Sequence, residues 1–247
     1  KALELTLTGK DCGLEERAPM CGVPHHAVEV YLNRLVGKGY KVAIGEQVED
    51  PKMARGLVKR EVIRVVTPGT NFNVSALDES KNNYLMCIVY VDDMYGISVC
   101  DITTGDFYVT EVNSKRTLLD EINKFMPSEI ICNQAFSVSG IDLEDIKQRL
   151  NISVFSLDTW YFDDENAKKA LLEHFKIHHL DGLGLGDFET GSVSAGALMQ
   201  YLTETQKDAL VQLTTITPYV TGKYMILDTS TRRNLELAET LREKNKK

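Results

Sequence analysis

The sequence has no long apolar run. None reaches the ~18 residues of a membrane-spanning helix, and no signal peptide opens the chain. Cysteine is scarce and odd in number: Cys12, Cys21, Cys87, Cys100 and Cys132 form no CxxC pair, which argues against a disulfide framework. Cys87 and Cys100 fall inside apolar strand patterns and are expected as buried thiols in a reducing cytosol. No GxSxG, HExxH or Walker A lysine occurs, and no cysteine has a placed histidine, so acyl-transfer nucleophiles, zincin chemistry and P-loop nucleotide binding lack their residues. Internal repeats and low-complexity tracts are also absent.

Two weaker patterns remain. His174 and His178 stand at i, i+4 and would share one face if a helix ran through both, but no Cys cluster or intervening glutamate completes a metal site. "GLGLGD" (182–187) is glycine-rich, yet it follows a helix rather than a strand and reads as a loop, not a phosphate cradle.

Charge is unevenly spread. Residues 1–80 carry 11 basic and 11 acidic side chains, residues 81–220 carry 10 against 21, and residues 221–247 carry 7 against 4. The middle region, at −11, repels a nucleic-acid backbone. Residues 52–70 hold Lys52, Arg55, Lys59, Arg60 and Arg64 against Glu61 alone, a local excess that attracts one.

The chain reads as α/β throughout. "KALELTLTGK" alternates Leu3, Leu5 and Leu7 with polar residues, as a strand already under way at the first residue would. Val28, Tyr31, Leu32 and Leu35 recur at helical spacing after Pro24, followed by strands "KVAIGEQV" and "EVIRVV" that end at Pro68-Gly69. A polar linker at 71–82 leads to three strands separated by "DDM" and "TTG", short enough for hairpins. Helices near 114–125, 142–150, 164–179 and 192–209 then alternate with strands at 128–132 and 152–157. Three antiparallel strands followed by alternating helices and strands is the order of an RNase H-like fold.

That order raises a metal-dependent nuclease, in which strand carboxylates hold two Mg²⁺ ions. Asp101 and Asp92 are its candidate ligands, but Asp92 belongs with Asp93 to a turn and no third ligand is evident. The closing stretch "TSTRRNLELAETLREKNKK" (229–247) reads as a helix capped by Thr229, Ser230 or Thr231, with Leu235, Ala238 and Leu241 on one face. Arg232 and Arg233 sit at the wrong end for its dipole, and no sequence follows to cover the face, so its last turns are expected to fray.

Four stretches together resemble the MutS family of DNA mismatch-repair proteins: "PMCGVPHHAVEVYLNRLVGKGYKVAIGEQVEDP" (19–51), "REVIRVVTPGT" (60–70), "GISVCDITTGDFYVTE" (96–111) and "TSTRRNLEL" (229–237). The resemblance covers essentially the whole chain, in family order. It implies part of a mixed-sheet α/β mismatch-recognition domain (1–77), an RNase H-like connector domain (82–213) and the start of a helical lever domain (214–247). It also implies that an aromatic-x-Glu wedging motif lies upstream of this stretch. A C-terminal ATPase domain with ATP, Mg²⁺ and the homodimer interface would lie beyond it. The stretch itself is then no enzyme, with no cofactor, metal or catalytic residue.

By the same resemblance, Lys10, Met20, Gly22 and Pro24 face the DNA minor groove or backbone. Lys59, Arg60 and Arg64 are added from charge as phosphate contacts, with a structural salt bridge an equal alternative for Arg64. The connector is implied to join domains and to dock a MutL-type partner, with Lys168, Lys169 and Glu173 outward on the helix at 164–176. The implied setting is cytoplasmic and DNA-associated, without a membrane. A free-standing nuclease and a pure protein-interaction module stay open as alternatives.

Overall fold

The computed structural model describes residues 2–13, 16–53, 56–71, 82–206, 210–222, 231 and 234–236. Two small antiparallel ribbons come first. Strand β1 (Thr8–Lys10) pairs with β2 (Ala18–Met20), and β3 (Val42–Gln47) pairs with β4 (Arg60–Val66). Helix α1 (Val28–Val36) lies between them and buries Leu32 and Val36. The expected opening strand is shorter than its alternation implies. Pairing reaches only Thr8–Lys10, and Leu7 is exposed, so leucine alternation alone does not make a ladder.

The remaining strands form one six-stranded mixed sheet in the order β10-β7-β6-β5-β8-β9. Its centre is the expected meander of β5 (Leu85–Val91), β6 (Met94–Asp101) and β7 (Asp106–Val112). Strand β8 (Glu129–Cys132) runs parallel to β5, β9 (Ser153–Ser156) parallel to β8, and β10 (Thr217–Pro218) parallel to β7. Alternation sends Leu85, Cys87 and Val89 to one apolar layer and Met86 and Ile88 to the other, so the sheet is buried on both faces. The layer of Met86 is closed by Leu118 and Ile122 of α2 (Lys115–Phe125), Phe136 of the short α3 (Gln134–Ser137) and Ile146 of α4 (Leu143–Leu150).

The opposite layer is closed by α6 (Glu189–Gln206), with α5 (Asp164–Phe175) packed against it. Helix α6 packs closely against both the sheet and α5 at glycine positions. A Cβ on Gly96 of β6 would stand 2.2 Å from the Thr190 carbonyl oxygen of α6, and one on Gly196 of α6 would stand 2.3 Å from the Ala167 carbonyl oxygen of α5. Ser194 Oγ meets Ser98 Oγ at 2.8 Å and donates to the Cys87 carbonyl at 2.9 Å, satisfying a buried hydroxyl. The Glu111 carboxylate accepts from the Gly191 N–H at 2.7 Å, placing negative charge at the positive end of α6.

Helix starts follow their caps. Ser114, Asp142 and Asp163 accept from the backbone N–H of Thr117, Asp145 and Asn166. Helix α5 ends at Phe175 rather than running to 179, because Lys176 turns left-handed at φ 54° without a glycine to signal it. Helix α6 starts three residues before its expected 192. Of the closing helix, Thr231 and Asn234 are helical; Arg232, Arg233, Ala238 and Leu241 lie outside the described residues.

Candidate nucleic-acid interface

The β1–β2 ladder pairs Thr8 with Met20 and Lys10 with Ala18, and paired residues share a face, so Lys10 and Met20 stand at opposite ends of one face. Thr8 Oγ1 donates to the Met20 carbonyl at 2.8 Å and ties the two strands. Gly22 and Pro24 are exposed in the loop that follows, Pro24 leading into a 3₁₀ turn at His25–Ala27 that feeds α1. Lys10, Met20, Gly22 and Pro24 therefore share one exposed segment.

The second group is on the other ribbon, a separate sheet. Its register slips between Ile44 and Gly45, so that Ile44 pairs with Arg64 but Gly45 pairs with Val62. The bulge places Arg64, opposite Ile44, on the half-buried face with Val42 and Val66, while Arg60, opposite Gln47, is on the exposed face with Ala43 and Val62. Uninterrupted alternation would have put both arginines on one side. Lys59 is exposed but paired, its Nζ 2.6 Å from Glu61 Oε1, a contact that raises the pKa of the lysine. The three residues grouped by charge are thus one exposed arginine, one ion-paired lysine and one half-buried arginine.

A polar cluster that sequence reasoning missed stands behind this ribbon. Glu129, fully buried at the start of β8, receives Lys41 Nζ at 3.4 Å and the Tyr201 hydroxyl at 2.7 Å on Oε1, and the Gly69 N–H at 3.0 Å on Oε2. Lys41 also donates to Tyr201 OH at 2.9 Å and lies 3.8 Å from the Phe155 ring centroid. Burial lowers the pKa of Lys41, with Glu129 opposing, and burial raises that of Tyr201. The available signal was a carboxylate inside the apolar run "SEIIC".

Asp101 and Asp92 do not meet. They close opposite ends of the β5–β6 hairpin, about 20 Å apart along the strands. Asp101 is buried and occupied: Oδ2 accepts from the Asn83 N–H at 3.0 Å, and Oδ1 accepts from Thr103 N–H and Oγ1 at 2.8 and 2.6 Å. Asp92 takes a positive φ of 47° in the turn. His174 is on α5, but His178 lies beyond its end, so the two do not share a helix face. Among the described residues no His, Cys, Asp and Glu group of metal-binding size occurs. "GLGLGD" spans the end of a 3₁₀ turn and a left-handed Gly184, as a loop.

Lys168, Lys169 and Glu173 are exposed on α5, where Lys168 pairs with Asp164 at 2.6 Å and Lys169 with Glu173 at 3.8 Å. No helix among the described residues is long and apolar enough to cross a membrane.

The family model of MutS domain II matches residues 83–216, and that of MutS domain I matches residues 1–75. The chain belongs to the MutS family. Similar proteins, each named DNA mismatch repair protein MutS, occur in Lachnoclostridium phytofermentans at 62% identity over 247 residues and Ruminiclostridium cellulolyticum at 50% over 250. Another, in Acetivibrio thermocellus, is 48% identical over 250 residues. All of this chain is covered in each case, but it spans only 26% of the first MutS relative and 28% of the other two.

Proposed function

We propose that this chain acts in DNA mismatch repair as the duplex-facing and connecting part of a MutS protein. The observation that carries the reading is the MutS domain I match over an exposed segment that presents Lys10 and Met20 on one face. In it Lys10 offers charge to a phosphate, Met20 an apolar edge to the minor groove, and Gly22 and Pro24 a backbone free of bulky side chains. Arg60 adds a phosphate contact from the second ribbon.

The ligand of the whole protein is mismatched or looped duplex. A mismatch unstacks at low cost, so a bent complex forms there more readily than on paired DNA. The wedging motif, ATP with Mg²⁺, homodimerisation and the ATP-driven change belong to other parts of such a protein. Residues 1–77, 82–213 and 214–247 act as recognition, connector and lever segments. The acidic connector, its Lys168, Lys169 and Glu173 outward, docks a MutL-type partner rather than DNA.

Fluorescence anisotropy with matched and G·T-containing duplexes tests this division of labour. The chain is expected to bind both weakly and equally at physiological salt, and Lys10→Ala to weaken both. A clear preference for the G·T duplex would contradict it.

A further inference from the structure

We propose that Glu129 and Lys41 form a releasable latch that sets the orientation of the β3–β4 ribbon on the six-stranded sheet. The open end of the ribbon, where Val42 pairs with Val66, meets one carboxylate through both of its strands. Lys41, the residue before β3, meets Oε1, and Gly69, in the 3₁₀ turn after β4, donates its N–H to Oε2. A displacement of that end therefore acts on both oxygens of Glu129.

The surroundings of the latch suit release. The further ties are single hydrogen bonds: Gln206 of α6 donates to the Val65 carbonyl at 3.1 Å, and Asn83 donates to the Pro68 and Asn71 carbonyls at 3.1 and 3.3 Å. Beside it lies an open, polar cleft of about 580 Å³, with Lys38, Gly39 and Asn71 on one wall and Lys147, Asn151 and Ser153 on the other. Polar junctions with such openings permit relative motion, whereas continuous apolar packing does not. Burial lowers the pKa of Lys41 in spite of its partner, so desolvation opposes the charged pair, and Lys41, part-exposed where Glu129 is fully buried, is the member that can leave for water. Glu129 keeps the Tyr201 hydroxyl as a donor when Lys41 leaves, because Tyr201 belongs to α6 and not to the ribbon. The latch holds whether or not the ribbon meets DNA, and so goes beyond the function proposed above.

Pulsed electron–electron distance measurements on the 247-residue chain test it. Spin labels go on Val48→Cys and Val138→Cys, both exposed sites, in a Cys12→Ser, Cys21→Ser background. The parent is expected to give one narrow distance distribution. Lys41→Met should at least double its width while circular dichroism stays that of the folded sheet, with a lower melting temperature from the unpaired Glu129 carboxylate. Glu129→Gln should broaden it to the same degree, and the double variant no further than either single one. An unchanged width in Lys41→Met, or additive broadening in the double variant, would overturn the proposal. If Glu129→Gln does not fold, Tyr201→Phe replaces it, with the same expected non-additivity.

Discussion

Lys41 Nζ reaches the Tyr201 hydroxyl at 2.9 Å across 160 positions of sequence, joining the residue before the β3–β4 ribbon to the helix that covers the central sheet. The hydroxyl passes the contact on to buried Glu129. The ribbon that carries Arg60 is thereby tied to the six-stranded sheet and its covering helix through charge and hydrogen bonds.

Close packing of α6 predicts a sharp glycine requirement. Alanine at Gly96 or Gly196 drives a Cβ into backbone carbonyls that cannot yield without moving a helix, so each substitution is expected to cost about 3 kcal/mol. Gly22, with open space around its position, should accept alanine within about 0.5 kcal/mol. Urea denaturation midpoints check both. Equal midpoints for Gly22→Ala and Gly196→Ala would contradict the packing account.

Stability should fall on the alkaline side. Burial pushes the Cys87 and Cys132 thiols up to about 12 and about 11 from 9.0, and raises Tyr201 and Tyr219 from 10.0. The native state keeps these protons while the unfolded chain releases them. The stabilisation is therefore complete below pH 9 and is lost as pH rises toward the folded values. Within that window each buried thiol costs about 1.4 kcal/mol per pH unit. Lys41, lowered from 10.5, acts in the opposite sense just below that value. Melting temperature measured from pH 7 to 11 should hold level to about 9 and then descend. A level profile to pH 11 would show that the thiols and tyrosines are not buried as described.

Asp101 should matter for folding and not for hydrolysis. Asn at this position turns an amide toward the Asn83 N–H or the Thr103 donors, so Asp101→Asn is expected to lose about 2–3 kcal/mol. Neither the parent nor the variant should nick duplex DNA in Mg²⁺. Cleavage by the parent that disappears in Asp101→Asn would establish the nuclease alternative.

Much of the fold was legible because its signals are local. The meander follows from alternation and two short turns, and Ser114, Asp142 and Asp163 announce three helix starts. The end of α5 was not legible, since Lys176 adopts a left-handed conformation that sequence assigns to glycine or asparagine. The candidate interface was legible by composition but not by direction. A bulge is a property of two strands in register, and only the pairing at Ile44 and Gly45 separates Arg60 from Arg64. Glu129 was hidden for a related reason: its donors come from 60 and 72 positions away.

That separation of the two arginines is the central claim about the interface, and the salt dependence of duplex binding tests it most directly. Arg60→Ala should weaken binding to any duplex and reduce the slope of log K against log salt by about 1. Arg64→Ala should leave the slope unchanged and lower the denaturation midpoint instead, because its side chain lies on the half-buried face. Equal loss of slope in the two variants would contradict the assignment of the arginines to opposite faces.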